Sequence, residues 1–305
     1  MDQNQKQKQH IEEHQEGRLL VHFNKVLIVG LGQLGLPIAK YVKERGFDTY
    51  GYDINRKAIE TAYTAAGIKQ VTDFGSDDFD VYIISISTHK PDDIFSPEIN
   101  GLLSLAYKIS REAKKDGALV SIESTIPKGT SKKVFEILNH RLHVVHAPHR
   151  WYALQENIHG LNQPRVIGGV CECCLKAGMQ FYIASITTPT SYNGLGIPMQ
   201  PVSRIEIAEL TKLIENAHRY LQIAFAEELY LYCKSNSINF PELRDALNTK
   251  WNVEILEPRE GIGGHCLPKD TKMFLQSSNS SKNNILTAAM EVDQEYRKYI
   301  EGVQL

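Results

Sequence analysis

Cys266 lies in the string Gly261-Ile262-Gly263-Gly264-His265-Cys266-Leu267-Pro268-Lys269-Asp270. Glycines let a backbone come close to a ligand, and a cationic neighbour, Lys269 or a protonated His265, favours thiolate over thiol. A thiolate of that kind adds to an aldehyde and holds it covalently, which suits a two-stage oxidation. The same residues equally fit a loop that packs a small thiol, and spacing alone does not choose between the two. A second string, Gly30-Leu31-Gly32-Gln33-Leu34-Gly35, has the G-x-G-x-x-G spacing of a dinucleotide turn, with Asp53 18 residues after Gly35. In such a turn Gly30 allows the tight bend, Gly32 lets the backbone approach a pyrophosphate, and Gly35 lets helix and strand pack closely. Asp53 would accept hydrogen bonds from ribose hydroxyls and repel a 2′-phosphate, which points to NAD rather than NADP; Arg56 nearby works slightly against that preference.

Such residues need a scaffold, and the hydrophobic pattern supplies one. The run 25–30 is apolar and ends in glycine, as a buried parallel strand does. A helix is expected over 34–45, a strand over 47–53 and a helix over 55–66. Strands follow at 80–87, 118–125, 142–147 and 165–170, with helical stretches at 97–115 and 130–138 between them. Alternation of this kind predicts an α/β fold with a doubly wound sheet. From Ser203 to Lys234 the apolar residues Leu210, Leu213, Ile214, Ala217, Leu221, Ala224 and Phe225 recur at helical spacing, which predicts one long helix able to carry a second domain or a partner subunit. A shorter helix is expected from Pro241 to Asn248, a loop over 261–270, a polar loop over 277–284 and a last helix over 285–300. The expected division is a tail at 1–20, an NAD-binding Rossmann-type domain at 21–200 and a helical central domain at 201–305 bearing the cysteine loop.

Composition excludes several classes. Of 305 residues, 42% are hydrophobic and 23% charged, and 34 Lys and Arg against 36 Asp and Glu give a net charge of −2. That balance argues against nucleic-acid binding, and no apolar run is long enough to span a bilayer. The polar start does not read as a secretory signal, and the Gln- and charge-rich stretch 1–20 reads as a mobile tail. Five cysteines, an odd number in a long chain, fit a reducing, cytoplasmic setting better than a disulfide framework. Neither of two metal-like patterns predicts a metal site. His140, His143, His146 and His149 recur every three residues, but side chains on a strand alternate faces. Cys171-Glu172-Cys173-Cys174 contains a C-x-x-C spacing without a second pair and reads as ordinary thiols at a helix start.

The cysteine string resembles the catalytic loop of the nucleotide-sugar dehydrogenases, which oxidise UDP-glucose, UDP-N-acetylmannosamine or GDP-mannose. Further segments resemble the family in order along the chain: the turn 30–35, Ser87-Thr88 where the family has Pro-Thr, and Glu123-Ser124-Thr125-Ile126-Pro127-Lys128-Gly129-Thr130 for its E-S-T-x-P-x-G-T. Pro164-Arg165-Val166-Ile167-Gly168-Gly169 and Glu209-Leu210-Thr211-Lys212-Leu213-Ile214-Glu215-Asn216 are likewise similar, and the likeness covers about residues 24–300. The resemblance implies that NAD takes two hydrides in succession from the C6 alcohol of a UDP-sugar, leaving a uronate for surface polysaccharide. It implies that Cys266 forms a thiohemiacetal and then a thioester, and that Lys212 stabilises the oxyanion with Asn216 as partner. Asp270 would manage protons through a water, and Thr125 would bind that water or the substrate. Gly30, Gly32, Gln33, Leu34, Gly35, Asp53, Thr88 and Ser124 would hold the cofactor. A homodimer through the long helix is also implied.

Two departures matter. Where the family carries Pro-Glu-Arg, this chain reads Pro148-His149-Arg150, so His149 stands where a glutamate assists thioester hydrolysis; histidine is itself a base near neutral pH. Glu156 follows seven residues later. The chain also stops where a third, nucleotide-holding domain is expected to begin. Both departures keep alternatives open: an NAD-dependent oxidoreductase acting on a smaller non-nucleotide alcohol or aldehyde, or a non-catalytic NAD-binding relative. Arg259 stands where the family has Pro-Gly-x-Gly and is placed to meet a phosphate.

Overall fold

A computed structural model describes residues 23–151, 155, 158, 160–183, 186–188, 191–192, 194–277 and 284–302. The expected tail at 1–20, Glu156 and most of 277–284 lie outside them. By its internal contacts the chain divides into two units: through Thr88 with Glu98–Lys212, and His89–Pro97 with the segment from Leu213 onward. The division thus falls inside the long helix, and a short excursion at 89–97 groups with the second unit.

The first unit is an α/β sheet. Its strands are β1 (Lys25–Val29), β2 (Asp48–Tyr52), β3 (Lys69–Gln70), β4 (Val81–Ile84), β5 (Leu119–Ile122), β6 (His143–His146), β7 (Arg165–Gly169) and β10 (Met199–Pro201), in the order β10-β7-β6-β5-β4-β1-β2-β3. A small separate ribbon pairs β8 (Ile186–Thr188) with β9 (Ser191–Tyr192). Val26, Leu27, Ile28, Ile83, Ile84, Val120, Ile122, Val144 and Val145 are buried, so the central strands read as apolar runs rather than alternating ones. The helices are α1 (Gly35–Glu44), α2 (Arg56–Ala66), α3 (Asn100–Glu112), α4 (Thr130–Ile137) and α5 (Glu172–Tyr182). Gly35, Ile38, Ala39 and Val42 form the buried face of α1, and Leu102, Leu105, Ala106 and Ile109 that of α3, each at helical spacing.

Two features depart from the expected sheet. β7 runs antiparallel to β6, pairing Val145 with Gly169 and His146 with Gly168. The short strands β3, β8, β9 and β10, two or three residues each, carry too little pattern to be read. The order still reverses between β1 and β4, so the C-terminal ends of those strands bound the crevice in which doubly wound folds bind ligands.

The long helix α6 (Ile205–Ser235) has 31 residues, about 46 Å at 1.5 Å per residue. Beyond Leu213 it belongs to the second unit with α7 (Phe240–Asn248), α8 (Cys266–Ser277) and α9 (Asn284–Ile300). Tyr220, Ala224, Ile262 and Ala289 form that unit's core. Asp293 is its polar hub, accepting from Tyr220 Oη at 3.1 Å, the Ile262 N–H at 3.1 Å and Arg297 Nε at 3.1 Å. The loop expected over 261–270 ends early, because Cys266 is already the first residue of α8. No helix among the described residues is long and apolar enough to cross a membrane.

Candidate functional site

The glycine turn joins β1 to α1. Gly30 has φ +94°, and a Cβ there would lie 2.5 Å from the Ser85 carbonyl oxygen; one on Gly35 would lie 1.8 Å from the Gly30 carbonyl oxygen. Side chains are therefore excluded where strand, turn and helix pack. A Cβ on Gly32 would meet nothing within 4 Å, so the turn opens outward at the position where backbone must approach a ligand. Gln33 is exposed and Leu34, the α1 N-cap, half-buried; Leu34 offers no capping side chain and no acid occupies the first turn. An uncapped helix start presents N–H groups and a positive dipole end to an anion.

Asp53, at the end of β2, accepts from the Leu31 N–H through Oδ2 and the Asn55 N–H through Oδ1, each at 2.7 Å. These bonds lock the acid beside the turn. A carboxylate has about four acceptor sites, so capacity remains for ribose hydroxyls. Glycine turn, uncapped helix start and acid together fit NAD.

Thr88 and Ser124 lie just past the ends of β4 and β5. Both are buried, and their hydroxyls donate to backbone carbonyls: Thr88 to Thr125 and Ser124 to Ile86, each at 2.7 Å. They tie the ends of β4 and β5 together and hold half-buried Thr125 in place. Glu209 on α6 is buried and accepts from the Gly129 and Ser131 N–H groups at 2.5 and 2.8 Å, sealing the start of α4 and anchoring the Glu123–Thr130 loop to α6. Burial raises its pKa against those bonds. Lys212, half-buried, is one turn further along the same helix.

His149 is only 7% exposed. Its Nε2 bonds Glu123 Oε2, and Arg165 Nη1 lies 3.0 Å from the same nitrogen. Glu123 also accepts from Tyr182 Oη, which lies 2.6 Å from Ser121 Oγ. Burial pushes the Glu123 pKa up, but His149 and Arg165 beside it outweigh that and bring it to about 2. Burial pushes His149 down against the pull of Glu123, with Arg165 and Lys212 disfavouring a further positive charge. The result is a carboxylate inside a buried network, beside an imidazole whose proton affinity burial lowers. Arg165 and Tyr182 were not readable as its members, since neither lies near residue 149 in sequence.

In the second unit, Cys266 is exposed at the N-terminus of α8. Its Sγ lies 3.8 Å from His265 Nε2. Burial, then the charges of Lys269 and His89, lower the His265 pKa, so the expected cationic partner is neutral at pH 7. Lys269 is committed to Asp270 Oδ1 at 2.7 Å. Thiolate support falls instead to the positive end of the α8 dipole, where Cys266 is the first helical residue. Asn216 Nδ2 donates to Asp270 Oδ2 at 2.5 Å, so α6 holds the acid that follows the cysteine by one turn of α8. Arg259 adopts φ 52°, and its carbonyl accepts from Tyr296 Oη at 2.7 Å.

The first unit is thus a Rossmann-type dinucleotide-binding fold, and the second presents a cysteine on a helix start. Comparison with known proteins sharpens this. Residues 25–148 match the NAD binding domain of 6-phosphogluconate dehydrogenase, and residues 206–295 match the central domain of the UDP-glucose/GDP-mannose dehydrogenase family. The chain is 27% identical over 296 residues to a UDP-N-acetyl-D-mannosamine dehydrogenase of Methanococcus maripaludis, covering 90% of this chain and 66% of that protein. It is 28% identical to the enzyme of that name from Escherichia coli K12, covering 89% and 69%. The solved UDP-D-ManNAc dehydrogenase of Pyrococcus horikoshii superimposes with a TM-score of 0.77 at 25% identity, over 91% of this chain and 70% of that one. The chain thus resembles the nucleotide-sugar dehydrogenases in both of its units, and it spans about two thirds of the length of the Methanococcus relative.

Proposed function

We propose that the chain oxidises the primary alcohol of a UDP-sugar to a carboxylate with NAD, with UDP-N-acetylmannosamine the first substrate to try. The observation that carries this reading is an exposed Cys266 at a helix start, one turn before an acid fixed by Asn216 and Lys269. The relatives named for UDP-N-acetylmannosamine indicate the sugar class.

NAD, held by Gly30, Gly32, Gln33, Leu34, Gly35 and Asp53, supplies the hydride acceptor. Cys266 adds through Sγ to the aldehyde carbon of the first oxidation product, giving a thiohemiacetal whose further oxidation leaves a thioester. Lys212, the lysine of the long-helix motif, is assigned the role of stabilising the developing oxyanion. Asp270, held on both oxygens, orients the water that cleaves the thioester and accepts its proton. Thr125, fixed through its carbonyl by Thr88, offers its hydroxyl to that water or to the sugar. Thr88 and Ser124 position the crevice rather than bind the cofactor directly. His149 is given the role of shaping the Glu123–Arg165 network, so the hydrolytic base is assigned to Asp270 alone.

A homodimer through α6 belongs to the same reading, supported by Ile214, Phe225 and Tyr232, large apolar residues left exposed on that helix. A cytoplasmic setting fits the odd number of cysteines in a chain of this length. Titration calorimetry with NAD, followed by the UDP-sugar in the presence of NAD, tests the binding half of the proposal. Binding of both supports it; binding of NAD with no response to any nucleotide sugar favours a smaller alcohol as substrate.

A further inference from the structure

The antiparallel reversal of β7 does something the spacing of histidines and cysteines does not show. The register pairs Val145 with Gly169 and His146 with Gly168. Val170 N–H still donates to the Val144 carbonyl at 3.2 Å, so one step further along the register His143 comes opposite Cys171. The chain turns into α5 at that point, with Cys171 as its N-cap. Cys173 and Cys174 therefore fall in the first helical turn, over the start of β6. Cys174 Sγ accepts from the Val144 N–H at 3.3 Å. Cys171 Sγ lies 2.8 Å from Cys173 Sγ and 3.2 Å from Cys174 Sγ. One ligand atom from each of His143, Cys173 and Cys174 lies within 4.8 Å of the others.

We propose that Cys171, Cys173, Cys174 and His143 form a tetrahedral zinc site that staples the start of α5 to the start of β6. Three sulfurs and an imidazole are a standard donor set for structural zinc, at about 2.3 Å for sulfur and 2.0–2.1 Å for nitrogen. Ligand atoms around such an ion stand roughly 3.5–3.8 Å apart; His143, Cys173 and Cys174 already lie within 4.8 Å of one another, and Cys171 Sγ, 2.8 and 3.2 Å from the two sulfurs, rotates to complete the set. Thiolates and imidazole also exclude magnesium and calcium, which take oxygen ligands. Binding Zn2+ displaces three thiol protons and forms four coordinate bonds, leaving a site of charge −1 that the N-terminal end of α5 favours. All four positions are filled by protein, so the ion has no open position for substrate and its role is structural. The inference does not depend on the dehydrogenase reading.

The full chain, purified without chelators from cells grown with zinc, should carry about one zinc per chain by elemental analysis. The Cys171→Ser/Cys173→Ser variant changes two partly exposed thiols and should fall below about a tenth of that, with its circular dichroism retained. Cobalt(II) titrated into the chelator-stripped chain should give thiolate-to-cobalt charge transfer and tetrahedral d–d bands saturating at about one equivalent. Those bands should vanish in the double variant and persist in Cys266→Ser. Chelation should lower the melting temperature, and added zinc should restore it. A chain that carries no transition metal and gives no cobalt bands overturns the proposal, even if the double variant fails to fold. So do bands lost in Cys266→Ser alone, or peptide mapping that finds a Cys171–Cys174 disulfide in the protein purified under reducing conditions.

Discussion

Asn216 on α6 donates to Asp270 on α8 at 2.5 Å, and Lys269 closes on the acid's other oxygen at 2.7 Å. Asp270 is only 2% exposed, and both of its oxygens are paired. The arrangement fixes an acid one turn beyond an exposed thiol. Asn216 is accordingly a positioning residue, acting through Asp270.

Asn216→Ala should lower kcat about 10- to 100-fold through misplacement of Asp270, with the KM for NAD unchanged. Asn216→Gln, which keeps the amide, should recover part of that loss. Steady-state kinetics of both variants check this, and an unchanged kcat in Asn216→Ala would remove Asp270 from the chemistry.

Asp53→Asn should weaken NAD binding about tenfold, the magnitude of one hydrogen bond to a charged group. Because one amide oxygen still accepts from Leu31 or Asn55, the turn should survive, and the melting temperature should move little. Calorimetric titration with NAD and NADP separates the two effects, and NADP should lose less affinity than NAD or gain some.

His146 is wholly buried, and burial pushes its pKa down to about 3. Its unfolded value is near 6.5, so below that pH the unfolded chain binds a proton the folded one does not. Stability should fall as pH drops from 6.5 toward 3, by up to about 1.4 kcal/mol per pH unit for this group. His149, also shifted down, adds to the slope in the same direction. Denaturant unfolding between pH 7 and pH 4 should show a shallower loss for His146→Leu than for the natural chain; identical slopes would show that His146 does not titrate on unfolding.

Glu227 behaves in the opposite sense. Burial, then the Asp293 carboxylate beside it, push its pKa up to about 8. Between its unfolded pKa near 4.5 and this value the folded chain holds the extra proton, so stability is full below pH 4.5 and declines as pH rises toward 8. Glu227→Gln should therefore raise the melting temperature at pH 8 and leave it nearly unchanged at pH 4.5. An equal shift at both values would assign the effect to packing instead of charge.

Much of the cofactor half was legible. The run 25–35 joins an apolar strand, three spaced glycines and an amphipathic helix, and the structure places each where that pattern requires. The cysteine half was less so. Gly263, Gly264 and Pro268 read as loop signals, yet proline in the first turn of a helix forfeits no internal hydrogen bond, and here it sits two residues after the start of α8. His149 has its environment decided by Glu123 and Arg165, 26 and 16 residues away, and no local pattern carries that information. His143 meets the cysteines only because β7 reverses, and an antiparallel strand carrying Val166, Ile167, Gly168 and Gly169 reads like a parallel one.

The central claim is that Cys266 carries a four-electron oxidation of a UDP-sugar. The most direct measurement counts NADH formed per sugar consumed, for UDP-N-acetylmannosamine and UDP-glucose, with the natural chain and with Cys266→Ser. The account predicts two NADH per sugar for the natural chain and a loss of at least about 1000-fold in the variant, as expected when a covalent nucleophile is removed. Two NADH per sugar at an undiminished rate in Cys266→Ser, or no turnover of any nucleotide sugar by a chain that binds NAD, would contradict it.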